Sequence, residues 1–208
     1  MTLEQAIAQW DIQETEKIIK AELQEQPENI NLWTKLCLTE LQYPYEDYES
    51  ALKCLAKVYS IDSCNLTALI LEAGIKWHSM GYIDMDTFSR LNSITCSDKE
   101  SCAIVYYLMS LYFCGNNDEG KQKRMIEKSI AESDHFVFPF RDLAKILFSE
   151  EYVEDGIKLL KRAVSNVKKV LQPEELYDFT DANTYIAEYI TGTTMSKLNF
   201  EHLKNLYK

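Results

Sequence analysis

The sequence predicts an all-α fold of paired helices, and three observations predict it. Glycine and proline are scarce, six and four in 208 residues, which is too little punctuation for a fold of many short strands. Leu, Lys, Glu, Ile and Ala are frequent, a composition that favours helices broken by brief turns. Apolar residues recur at i, i+3, i+4 and i+7, the stripe of an amphipathic helix, in one segment after another. A chain of this length buries roughly 70% of the surface its unfolded form exposes, so a core is available.

Taken in order, residues 1–29 read as an opening helix pair ending at Pro27. In 30–65 a first helix carries Trp33, Leu36 and Cys37, an insertion of two residues around Tyr43-Pro44-Tyr45 follows, and Ala51, Leu55 and Val58 mark the second helix. Residues 66–102 keep Leu69 and Ala73 in a first helix, with a degenerate second helix over 86–91. The pattern is clearest in 103–136 and 137–170. Tyr106, Met109, Ser110 and Phe113 precede Gln122, Ile126 and Ser129; then Phe140, Leu143, Ala144 and Leu147 precede Gly156, Leu160 and Ala163, with Ser149-Glu150-Glu151 as the polar turn. The two units stand in phase at 34 residues. Pro173 with Glu174 and Glu175 reads as another helix start, proline in the first turn and acids at the positive end of the dipole. Gly192 reads as a stop, and 196–207 as a final capping helix.

This spacing resembles the tetratricopeptide repeat: large-x2-large-small-x2-aromatic, then small-x3-large-x2-small. Lys168 stands where the family's closing proline is typical. The resemblance implies a right-handed α-α superhelix of about five stacked antiparallel helix pairs plus a C-terminal capping helix. It further implies one domain over 1–208, with units near 1–29, 30–65, 66–102, 103–136 and 137–170 and a cap at 171–208. Each pair hides its apolar face by stacking on its neighbours, which leaves an inner surface for a ligand.

Charge and motifs narrow the function. Twenty-two basic against thirty-three acidic residues give a net charge of −11, which repels nucleic acid and anionic membranes and attracts a basic partner. No run of about 18 apolar residues occurs, and Glu4 and Gln5 stand where a secretory leader needs a basic start, so a cytoplasmic protein with reduced cysteines is expected. Gly115-Asn116-Asn117-Asp118-Glu119-Gly120-Lys121-Gln122 nearly spells a phosphate loop. Gln122 cannot hold magnesium, however, and two acids sit in the would-be cradle, so it reads as a turn. The six cysteines and three histidines lack the close pairs a zinc site uses, and no serine or cysteine sits in a nucleophile motif. The expectation is no metal, no cofactor and no enzyme.

A protein partner is therefore expected, for a chain acting as a monomer or weak homo-oligomer. By the register of the resembling family, the inner groove takes Thr34, Leu38 and Leu41; Ile70, Trp77 and His78; Ile104, Tyr107 and Leu111; and Phe138, Arg141, Lys145 and Phe148. Two readings stand for Leu38, Ile70 and Ile104, groove lining or core. A second candidate surface is the insertion, where Tyr43, Tyr45 and Tyr48 lie among Glu46, Asp47 and Glu49 and can grip a basic protein through ring area and hydroxyls. Within the interaction class the sequence favours an acidic inhibitor or immunity-type protein that neutralises a basic toxin. The alternative is a chaperone or adaptor holding an extended segment.

Overall fold

The computed structural model describes residues 1–172, 175 and 177–207. In chain order it contains α1 (Leu3–Ala8), α2 (Ile12–Glu25), α3 (Ile30–Glu40), α4 (Tyr48–Ile61), α5 (Leu66–Met80), α6 (Met85–Ser93), α7 (Lys99–Gly115), α8 (Glu119–Glu132), α9 (Phe138–Ser149), α10 (Val153–Asn166), β1 (Lys169–Leu171), α11 (Ala182–Tyr185), β2 (Thr194–Ser196) and α12 (Lys197–Asn205). The fold is all-α and organised as helix pairs, as the sequence predicts.

The second helix of each of the first four pairs starts in the same way. Asp11, Asp47, Asp84 and Asp118 recur every 34 to 37 residues, and each carboxylate accepts the backbone N–H three residues on, at 2.9–3.0 Å. These acceptors satisfy donors that the helix leaves without a partner, so an aspartate there sets the boundary. The near-match to a phosphate loop is one such boundary: α7 ends at Gly115, Asn117 adopts a φ of 56°, and Asp118 caps α8.

Two compact units are distinguished by their contacts. Unit 1 comprises Met1–Ile75 and Leu176–Tyr185. In it α1 packs on α2, α2 on α3 and α3 on α4, around Ala6, Ile19, Leu36, Cys37, Leu38, Leu55 and Val58. Unit 2 comprises Lys76–Glu175 and Ile186–Lys208. Here α6 packs on α7, α7 on α8, α8 on α9, α9 on α10 and α10 on α12. The motif's small positions lie in the interior. Ser110, Ser129, Ala144 and Ala163 are fully buried, and Ser129 Oγ donates to the Ala103 carbonyl at 2.7 Å. A Cβ on Gly156 would lie 2.4 Å from the Phe148 ring, so the absence of a side chain is what lets that ring in.

The C-terminal region departs from expectation. Where a cap of helices alone was expected after 170, β1 pairs in parallel with β2, Val170 opposite Met195. Val167 leaves α10 in an extended conformation, and the N–H groups of Lys168 and Lys169 both donate to the Thr193 carbonyl, at 2.8 and 3.2 Å. The ladder thus continues where the helix stops. The helix start expected at Pro173 and Glu174 lies outside the described residues. The helix found further on, α11, runs into a π-helical turn at Ile186–Ile190, and Gly192 ends it with a φ of +72°. The final cap is α12, with Ser196 as its N-cap.

Candidate functional site: a groove in the second unit

Equivalent positions on successive first helices face the same way, and this assembles a site in unit 2. Tyr107 and Leu111 on α7 stand 34 residues before Arg141 and Lys145 on α9. Together with Trp77 near the end of α5 they line one open cavity of about 390 Å³. Asp142, Glu119, Gln122, Ser149 and Cys114 add to the polar part of its wall. Arg141 and Lys145 also border a smaller cavity of about 190 Å³, whose other walls include Phe138, Met195, Asn199, His202 and Leu206.

Asp142, which the sequence reading did not single out, organises the charges. Its Oδ2 accepts from Tyr107 Oη at 2.7 Å and from Arg141 Nη2 at 3.0 Å; its Oδ1 accepts from Arg141 Nε at 2.7 Å and from Lys145 Nζ at 3.2 Å. Burial by itself would raise the Asp142 pKa. The Arg141 charge and hydrogen bonds outweigh it and hold the carboxylate below its ordinary range. Burial, reinforced by the negative charge of Asp142, pushes the Tyr107 hydroxyl well up, so it stays a donor. For Arg141 burial opposes the cation, but Asp142 more than restores it and the net direction is upward. The guanidinium also lies 4.2 Å from the Phe138 ring centroid, a cation–π contact. Arg141 is thereby fixed, whereas Lys145, its side chain 56% exposed, keeps donor capacity toward the cavity.

His78 stands beside this wall. Its Nε2–H donates to the Tyr189 carbonyl at 3.0 Å and its ring meets the Tyr189 ring edge-on at 5.6 Å. Desolvation lowers its pKa; the hydrogen bond opposes this, and the Arg141 charge adds to the lowering.

The remaining groove residues named from the sequence are placed elsewhere. Leu38 and Ile70 are buried in the interior of unit 1, and Ile104 is buried in unit 2. Phe148 turns inward against Gly156 and the α9–α10 core. Thr34 donates to the Ile30 carbonyl at 2.9 Å and borders a cavity of unit 1. Tyr43, Tyr45, Glu46 and Asp47 form the α3–α4 connection, with Tyr48 opening α4. Tyr43 is 79% and Tyr45 55% exposed, but Asp47 already serves as the α4 cap, and Tyr45 Oη accepts from Gln13 Nε2 at 3.0 Å.

Among the described residues no group of three or more His, Cys, Asp or Glu is placed to hold a metal. Nor is any helix among them long and apolar enough to cross a membrane.

Helix pairs with small residues at their crossings and a groove wall repeated at 34-residue intervals define a tetratricopeptide-like helical-repeat fold. Solved structures share it. One of MamA has a TM-score of 0.60 and 15% identity, covering 80% of this chain and 94% of that one. A MamA double mutant, RS-1 ArsTM, has a TM-score of 0.64 at 12% identity, covering 79% and 89%. MamA from residue 41 to its end, from Desulfovibrio magneticus RS-1, has a TM-score of 0.63 at 12% identity, covering 79% and 90%. Likeness at such identities concerns the fold. No protein-family model matches the sequence, and no curated protein matches it.

Proposed function

We propose that this chain is a non-enzymatic protein-binding module that takes its partner on the unit 2 groove, with Trp77, Arg141 and Lys145 at the contact and Tyr107 buried behind them as the brace of Asp142. One observation carries the reading: residues from three helices, spaced by the repeat, converge on one open cavity of about 390 Å³ in which Arg141 is already fixed by a carboxylate only 13% exposed. Tryptophan and arginine in a rigid wall are residue types that anchor protein interfaces. A pre-ordered Arg141 also loses little freedom on binding. The helical-repeat fold shared with MamA is in keeping with a scaffold.

The finer reading is an acidic, cytoplasmic inhibitor of immunity type that neutralises a basic partner such as a toxin. Its support is the net charge of −11 and the exposed Tyr43, Tyr45 and Glu46 on the α3–α4 connection. Six free cysteines suit a reducing compartment. Quantitative capture of a partner by the intact chain and by two double variants tests both surfaces. Trp77→Ala with Lys145→Glu removes groove contacts; Tyr43→Ala with Glu46→Lys alters the connection while leaving the Asp47 cap intact. Loss of capture with the first pair alone supports the groove. Loss with the second pair alone, together with a steep fall in affinity as salt is added, refutes the groove and supports the acidic surface. Full retention by both overturns the proposal.

A further inference from the structure

The chain places a piece of itself on a face of unit 1 formed by α1, α3 and Trp10. Residues 177–185 pack with unit 1, although the residues on both sides of them in sequence belong to unit 2. Four features define the seat. The Trp10 ring packs on Phe179 with centroids 4.7 Å apart and edge-on to Tyr177 at 5.5 Å. Trp10 holds this place with a φ of 56°, a left-handed conformation that a bulky side chain rarely adopts. From α3, Lys35 Nζ donates to Thr180 Oγ1 at 3.1 Å and pairs with Asp178 Oδ2 at 4.0 Å. Phe179 and Thr180 are 3% and 2% exposed, so they are inserted into the face.

The segment does not fill the face it crosses. On one side an open cavity of about 580 Å³ is lined by Leu3, Ile7, Ala8 and Lys35 with Tyr177 and Asp178. On the other a cavity of about 500 Å³ is lined by Ile30, Thr34, Lys35 and Asn65 with Asp178 and Asp181. Lys35 and Asp178 border both. Here Trp10 and Lys35 both hold the stretch, and the surface beside it stays open.

We propose that this face of unit 1 is a peptide-binding site for an extended segment of aromatic–acid–aromatic–hydroxyl chemistry, and that Tyr177, Asp178, Phe179 and Thr180 are its resident, competing ligand. The ring of Trp10 selects the aromatics, and the Lys35 ammonium selects the acid and hydroxyl. An outside segment of the same chemistry binds after the resident one leaves. Tethering gives the resident an effective concentration on the order of millimolar, so the site is masked until a stronger or locally concentrated ligand arrives. This is independent of the unit 2 groove and stands or falls without it.

A fluorescein-labelled peptide of residues 177–183, titrated with the full chain and followed by anisotropy, tests the proposal. Tyr177→Ala with Phe179→Ala in the chain weakens the resident and is expected to tighten peptide binding at least tenfold over the unaltered chain. Adding Lys35→Glu, or replacing the phenylalanine of the peptide with alanine, is expected to abolish the gain. Absence of binding to the double variant, with its helical circular dichroism intact, overturns the proposal. Should that variant not fold, hydrogen exchange on the unaltered chain decides. Faster exchange at Thr180 and Tyr185 than in α2 and α3, accelerated by excess peptide, supports the displaceable segment. Exchange of those amides at the slow α2 and α3 rate, unmoved by peptide, overturns it.

Discussion

Replacing Asp142 with asparagine tests the electrostatic core of the groove, because the side chain keeps its shape and loses only its charge and one acceptor. In the native protein its two oxygens receive four donors: Tyr107 Oη, two guanidinium nitrogens of Arg141, and Lys145 Nζ. An amide offers a single oxygen and turns an NH2 group toward those donors. The Lys145 share is discounted, its side chain being 56% exposed. The loss of charge-assisted bonds to Tyr107 and Arg141, with Arg141 left uncompensated, costs about 3 kcal/mol. For a chain of this size that is a fall in Tm of roughly 6–12 °C. The pH dependence supplies a second readout. Because the folded-state pKa of Asp142 is depressed, its stabilisation is present above the ordinary carboxylate pKa and is lost as pH falls through the folded-state value. Thermal unfolding of both proteins from neutral pH downward is therefore expected to show a gap that narrows in acid, and Tyr107→Phe is expected to recover only a fraction of it. A gap of under 1 °C at neutral pH, or one that stays constant into acid, refutes the account.

Three further outcomes are expected. Gly192→Ala combines a φ of +72° with a Cβ 2.5 Å from the Phe138 ring, and it should cost about 2 kcal/mol in denaturant unfolding while displacing the ring on which Arg141 lies. Asn29→Ala removes the acceptor for the Leu32 N–H and should lower stability by about 1 kcal/mol, whereas Asn29→Asp should leave the unfolding midpoint nearly unchanged. His78 should titrate below the ordinary histidine value in an NMR series, and its depressed folded-state pKa means that stability present above that ordinary value is lost as pH falls toward the folded one; Arg141→Met should move the midpoint upward.

Much of the fold was legible because helices are specified locally. The stripes around Leu143 and Leu160 needed no knowledge of the rest of the chain, and the same is true of the turn at Asn117. A further local signal, the aspartates at 11, 47, 84 and 118, would have placed the second helices directly, including the degenerate one that begins at Met85. The candidate groove was legible in part: register put Trp77, Tyr107, Arg141 and Lys145 on one wall. Asp142 was hidden because an acid beside an arginine on a helix reads as a solvated pair until its burial is known, and only the Tyr107 hydroxyl, 35 residues away, reveals the difference.

The sequence by itself determined the helix pairs, their boundaries and their common register, since propensity, periodicity and capping act over a few residues. Only the tertiary structure decided that Phe148 turns into the space left by Gly156 and that β1 finds β2 in parallel. It alone decided that Lys35 reaches Thr180 across 145 residues of sequence. Those choices depend on which surfaces meet when distant segments pack, and no local pattern in the chain carries that information.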